Sequence, residues 1–157
     1  TQIEWVVEDI DNAVEKFHQL TGIGPWHFYR YGPEILHTMK RYGEDSEYEL
    51  LAAVANAGTT RLELIQPLKG DTIFNEYIEK HGYGGIQHLG LAVDDMKAAL
   101  ALSESIGMTV TMEGGGHGLD GDGYFAYLET ENIVGVTLEL MERPKKRRKP
   151  YKVYPSQ

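Results

Sequence analysis

An internal repeat constrains this chain more than any other feature. Residues 2–10 can be laid over residues 88–96, an offset of 86 (88 − 2), so that Val7 meets Val93, Asp9 meets Asp95 and Ala13 meets Ala99. Each segment reads as a strand that runs into an amphipathic helix, over 10–20 and 96–106. Asp9 and Asp95 stand where an N-cap is needed, and Gly22 and Gly107 stand where each helix should stop. A second matched pair of strands follows, over 61–65 and 136–140. Both contain Leu-Glu-Leu, with Glu63 and Glu139 76 positions apart (139 − 63). At 157 residues the chain is one domain, or two small modules sharing a core.

The repeat also marks a candidate site. Strand alternation sends His88, Gly90 and Ala92 to one face and Leu89, Leu91 and Val93 to the other, the natural core face. Two small residues leave open space around the imidazole. A lone histidine in a strand is ordinarily a packed residue, and a lone glutamate ordinarily faces solvent. Two glutamates in equivalent places of two half-repeats point instead to a shared site, because a buried carboxylate without a partner is costly.

The βαβββ half-repeat, the His88-Leu89-Gly90-Leu91-Ala92-Val93-Asp94-Asp95 strand and the two Leu-Glu-Leu strands resemble the vicinal oxygen chelate superfamily. Its members include glyoxalase I, extradiol dioxygenases, antibiotic-resistance proteins and methylmalonyl-CoA epimerase. The resemblance covers residues 1–142. It implies an α+β fold in which paired βαβββ modules, about 1–68 and 86–142 and joined by a helix over 71–80, form a cupped half-barrel around a metal site. It also implies one divalent ion (Co, Zn, Mn, Ni or Fe) held by Gln2, Glu63, His88 and Glu139, and a homodimer. Gln2 departs from the common pattern, which has histidine in that strand. Locally the chain looks most like the epimerase, whose base begins the strand before the Leu-Glu-Leu hairpin. Counting back 16 residues from Glu63 puts Glu47 there, with Glu139 as the second catalytic carboxylate. The implied reaction is epimerisation or racemisation at a carbon next to a carbonyl, through a metal-stabilised enolate.

Composition excludes several alternatives. No cysteine occurs, so disulfide and thiolate chemistry are absent. No apolar run is long enough to span a membrane and no signal peptide is visible, so a cytoplasmic protein is expected. Residues 143–157 hold seven Lys/Arg and no Asp/Glu, leaving 15 − 7 = 8 basic against 24 acidic residues in the body. Such a body repels nucleic acid, and the basic tail is expected to be solvated or folded back on it. The same acidity counts against an acyl-CoA. Its phosphates need cations at the cup mouth, with Lys40, Arg41, Arg61, Lys69 and the tail as candidates.

Between the matched segments, Trp26, Phe28, Tyr29 and Tyr31 are candidate substrate-binding residues for a bulky aromatic ketone. Alternation separates Trp26 and Phe28 from Tyr29 and Tyr31, and either set could line the cup. Strands are expected over 35–42, 47–55, 109–113, 124–130 and 134–141, and Asp71 is expected to cap the linking helix. The six-glycine loop 114–123 lacks the order of a phosphate-binding loop and is expected as a hairpin over the cup. Other readings are a racemase of an aromatic ketone, a glyoxalase-type lyase and a non-catalytic binding protein of the resistance type, which Gln2 favours.

Overall fold

The computed structural model describes residues 1–156. The first half runs β1 (Gln2–Val6), α1 (Ile10–Thr21), β2 (Trp26–Tyr31), a hairpin of β3 (Thr38–Arg41) and β4 (Glu44–Asp45), then β5 (Glu49–Ala57) and β6 (Thr60–Lys69). Helix α2 (Ile73–His81) links it to β7 (Ile86–Val93), α3 (Met96–Ser105), β8 (Val110–Gly115), β9 (Tyr124–Leu128), the single turn α4 (Glu131–Val134) and β10 (Thr137–Glu142). A last strand, β11 (Lys152–Tyr154), follows. No helix is long and apolar enough to cross a membrane among the described residues.

All eleven strands form one curled sheet, ordered β11-β2-β5-β6-β1-β7-β10-β9-β8-β3-β4. The halves share one connectivity. β1 pairs parallel with β6 and β6 antiparallel with β5, just as β7 pairs parallel with β10 and β10 antiparallel with β9. The halves meet where β1 runs antiparallel to β7. The result is the α+β half-barrel that the family resemblance implies. The β3–β4 hairpin leaves the first half and extends the second through β8.

The helices form where the sequence caps them. Asp9 and Asp95 accept hydrogen bonds from the amides of Asn12 and Ala98, both at 2.9 Å. Gly22 closes α1 in the left-handed conformation, φ 69°, which a side chain would resist. Ile10, Val14 and Phe17 of α1 pack on the convex face of the first half, and Met96, Ala99 and Leu100 of α3 on that of the second. Helix α2 lies on the concave side, where Ile73 and Phe74 join Val6, Ile65, Met112 and Tyr127 in a core that closes one end of the cup.

Several expectations need correction. Thr72, not Asp71, caps the linking helix, because Asp71 is engaged by Arg41. The expected strand over 35–42 shrinks to β3. The strand expected over 47–55 is β5, which starts at Glu49. Leu89, Leu91 and Val93 are not the deep face of β7. His88 and Gly90 are buried while Leu91 is 40 % exposed, because α1 and α3 cover the two flanks of the convex side and leave its centre thinner. Of the two arrangements expected for the basic tail, the folded-back one is found: β11 pairs with β2, and the amide of Leu119 donates to Lys146 O at 2.8 Å.

Candidate active site

Four central strands set the floor of the cup. The ladder places Gln2 beside Arg61 and Gly90, Glu4 beside Glu63 and His88, and Glu139 beside Gly90. Residues paired across a ladder share a face, so Gln2, Glu4, Glu63, His88 and Glu139 converge on the concave side. All five are buried. Gln2 Nε2 lies 2.5 Å from Glu63 Oε2 and 3.4 Å from Glu139 Oε2. His88 Nε2 lies 3.2 Å from Glu139 Oε2 and 3.8 Å from Glu63 Oε2, without an aligned hydrogen bond to either. Gly90 is required between them. A Cβ there would lie 2.7 Å from Met141 Cε and 2.9 Å from both Gln2 Cβ and Glu139 Oε2.

Behind the imidazole, Nδ1 lies 3.0 Å from Gln87 Oε1 and 3.3 Å from Glu4 Oε2. Gln87 reaches that position because the β1–β7 register slips between Glu4 and Trp5. Burial pushes the pKa of Glu4 up to about 7, against the pull of His88. Burial likewise raises Glu63 to about 7, opposed by Arg61. For His88, burial disfavours the charged ring, but Glu139 and Glu4 outweigh it and hold the pKa up at about 10.

The donor set suits a divalent ion in its chemistry: two carboxylates, one imidazole and one amide, with His88 Nε2 buried and unpartnered. Gln2 turns its nitrogen to Glu63, and a half-turn of the amide would present its oxygen instead. Among the described residues, no three His, Asp or Glu side chains already stand together as a closed metal cage.

Above the floor lies a cavity of about 620 Å³. Tyr29 and Tyr31 line it, stacked at 6.4 Å between ring centroids. Trp26 and Phe28 do not. They point to the convex face, fully buried, with Trp26 edge-on to Phe17 of α1 at 5.7 Å. As core rings each contributes about 1.5–3 kcal/mol by burial rather than contacting a ligand. Glu47 does not line the cavity either. It is exposed, ahead of β5. Glu49 does line it, but Arg30 and Lys69 hold its carboxylate and push its pKa down.

Of the cations expected at the mouth, Arg61 and Lys69 line the cavity. Arg41 is instead buried between Asp71, Glu76 and Thr111 O, and Lys40 lies on β3 away from the cavity. The tail adds Arg143, Arg147, Arg148 and Lys149 to the lining. None of these four, nor Arg61, makes a salt bridge among the described residues, and Arg61 Nε and Arg148 Nε are buried without partners. Burial and the neighbouring Arg61 lower the pKa of Arg147. Asp122 accepts from the Lys145 amide at 2.8 Å and ties the glycine loop to the tail.

Sequence reasoning missed Glu4. Its alternation with Gln2 was the available signal, but the repeat alignment sets it against Gly90 and so hides it in a strand read as apolar. His117 of the glycine loop, which lines the cavity and has a buried, unpartnered Nδ1, was also missed and carried no pattern to find it by.

The chain is similar to known proteins over most of its length. Mouse mitochondrial methylmalonyl-CoA epimerase is 32 % identical over 54 residues, which cover 34 % of this chain and only 30 % of the mouse protein. The methylmalonyl-CoA epimerase of Mycobacterium tuberculosis shares the fold with a TM-score of 0.63 at 23 % identity, over 92 % of this chain and 87 % of that one. A variant of the Streptomyces coelicolor methylmalonyl-CoA epimerase, in complex with 2-nitronate-propionyl-CoA, does so with a TM-score of 0.64 at 21 % identity, over 94 % and 95 %. The model of the glyoxalase/bleomycin resistance protein/dioxygenase superfamily matches residues 1–127. A repeated βαβββ ladder, a polar floor where the halves meet and that match lead to one assignment: the chain belongs to this superfamily.

Proposed function

We propose that the chain is an isomerase that moves a proton at the carbon next to a carbonyl, in a substrate that also carries an anionic group. One observation carries this reading, the polarity of the cavity. Carboxylates, an imidazole and an amide converge on its floor, while Arg61, Arg143, Arg147, Arg148 and Lys149, none of them in a salt bridge among the described residues, also line it. Gln2, Glu63, His88 and Glu139 would hold one divalent ion, Co, Zn, Mn, Ni or Fe. When bound, such an ion supplies positive charge to the carbonyl and acidifies the neighbouring C–H.

The chain's own groups handle the proton. Glu139 turns Oε2 to Gln2 and His88, leaving Oε1 to accept the proton. Inversion needs a second carrier. Glu47 lies outside the cavity, and Glu49 is committed to Arg30 and Lys69. His117 lines the cavity, and burial lowers its pKa, so at neutral pH it has one N–H to give and one lone pair to accept.

The likeness to the methylmalonyl-CoA epimerases and the arginines at the mouth support an acyl-CoA as substrate. A racemase of bulky aromatic ketones is less well supported, since Trp26 and Phe28 lie on the opposite face. Solvent exchange tests the reading. In D₂O, methylmalonyl-CoA should gain deuterium at its α-carbon, and Glu139→Gln should slow this by about 10²–10⁴-fold while Glu47→Gln leaves it unchanged. If ion-loaded protein exchanges no α-proton in any acyl-CoA that it binds, the catalytic reading gives way to that of a ligand-binding protein.

A further inference from the structure

The two-fold pairing of the sheet gives each floor position a counterpart, and two of the three pairs differ, Gln2 from His88 and Glu4 from Gly90. Gly90 stands beside Glu139 in β10 as Glu4 stands beside Glu63 in β6. At position 90 a bare Cβ already collides with its neighbours. At position 4 a whole carboxylate occupies the matching place, 0 % exposed, and neither oxygen makes an aligned hydrogen bond. Burying an ionisable group this way is costly, and an apolar residue of similar size would fill the space more cheaply.

The geometry around His88 gives that carboxylate a use. Glu4 Oε2 and Gln87 Oε1 both face Nδ1, at 3.3 and 3.0 Å, and Gln87 is anchored in turn by donating to Thr137 Oγ1 at 3.2 Å. Both groups can accept, so in the neutral imidazole the proton is kept on Nδ1 and Nε2 is left as a bare lone pair. Nε2 is the atom that faces Glu63 and Glu139. Phe74 and Tyr127 pack around the ring, with centroids at 6.3 and 5.1 Å, and leave it few other orientations.

We propose that Glu4 is a positioning residue: its carboxylate, 3.3 Å from Nδ1 and beside the Gln87 oxygen that pairs with it, favours the proton on Nδ1 by its charge, leaves Nε2 aimed at the floor, and strengthens its grip on a divalent cation. The inference rests on the cation site proposed above. Glu4 is not itself a ligand, because it lies on the far side of the ring from Nε2. Carboxylates behind a ligating histidine typically contribute about 10- to 100-fold to metal affinity.

The test uses the full chain, freed of divalent ions by a chelator and titrated calorimetrically with Co²⁺, with the visible absorption of bound Co²⁺ as a second readout. Glu4→Gln keeps the shape and an acceptor but removes the charge. It should bind Co²⁺ about 10- to 100-fold more weakly and shift the absorption band, with thermal unfolding of the ion-free protein not lowered. Glu4→Gly, which installs the counterpart residue, should weaken Co²⁺ equally and serves if the glutamine variant does not fold. His88→Ala separates the two claims. If it loses Co²⁺ while both Glu4 variants bind as the parent does, the role of Glu4 is overturned and the cation site stands. If His88→Ala or the parent shows no His88-dependent binding, the site itself is wrong and this inference falls with it.

Discussion

The two halves of the sheet share a ladder but not its contents. The first half contributes Gln2, Glu4 and Glu63 to the floor, and the second contributes His88, Gly90 and Glu139 in matching positions. Only the Leu-Glu-Leu carboxylate is the same in both. The first half is rich in oxygen donors and carries two buried acids. The second supplies the one imidazole, and a gap where a side chain will not fit. A repeated backbone therefore fixes where the donors stand, while the asymmetry of side chains fixes which of them bind, which support and which leave room.

Exchanging residues between the halves is the sharpest way to break this comparison. His88→Gln gives both halves the same residue and should weaken Co²⁺ or Zn²⁺ by about 100-fold or more, since the imidazole is lost as well as its partner behind it. The converse, Gln2→His, should tighten the same ion by about 10-fold, as a neutral amide gives way to a stronger donor. Calorimetry on both reads the comparison directly, and equal affinities in all three proteins would mean that neither position ligates. Next in size is Gly90→Ala. Its methyl must displace Met141, Gln2 or Glu139, so it should destabilise the fold by about 1–3 kcal/mol in urea unfolding and weaken the ion as well. A Gly90→Ala variant as stable as the parent would show that the gap is not constrained.

The smallest effect expected is on pH dependence, measured on protein stripped of divalent ions. Glu4 and Glu63 in the first half have pKa values raised to about 7, so the folded chain binds protons there that the unfolded chain has lost. That contribution to stability is fully present below their ordinary value of 4.5 and disappears as the pH rises to about 7. His88 in the second half, raised from 6.5 to about 10, contributes stability below 6.5 that is lost as the pH rises through 10. Both halves act in the same direction. The unfolding midpoint should fall between about pH 5 and about pH 9, and added Co²⁺ should flatten the slope. A midpoint that rises over this span would contradict the burial of the two acids and the hold of Glu139 and Glu4 on His88.

The repeat was legible because it is written in local pattern. The capping aspartates, the alternating strands and the paired Leu-Glu-Leu segments showed the repeat, the family resemblance they carry implied the fold, and alternation correctly parted Trp26 and Phe28 from Tyr29 and Tyr31. Which of the two sets faces the cup was not legible, since that depends on where α1 packs. Glu47 illustrates the same limit. Counting residues assigned it a role, but β5 begins two positions later, and a bulge between Glu49 and Leu50 shifts the register at that end. The tail's part in the cavity depends on pairing between β11 and β2, about 125 residues apart in sequence, which no local signal could supply.

That pairing has a consequence for how such a protein can change. The family model ends at residue 127, while the segment that sets cations at the entrance runs from Arg143 to Lys149 and is moored by β11. The last floor donor is Glu139, so the donors and the tail cations are carried on successive stretches of chain. On the reading proposed above, forms of the protein that differ only in the segment from Arg143 to Lys149 should differ in which ligands they admit while keeping the same donors on the floor.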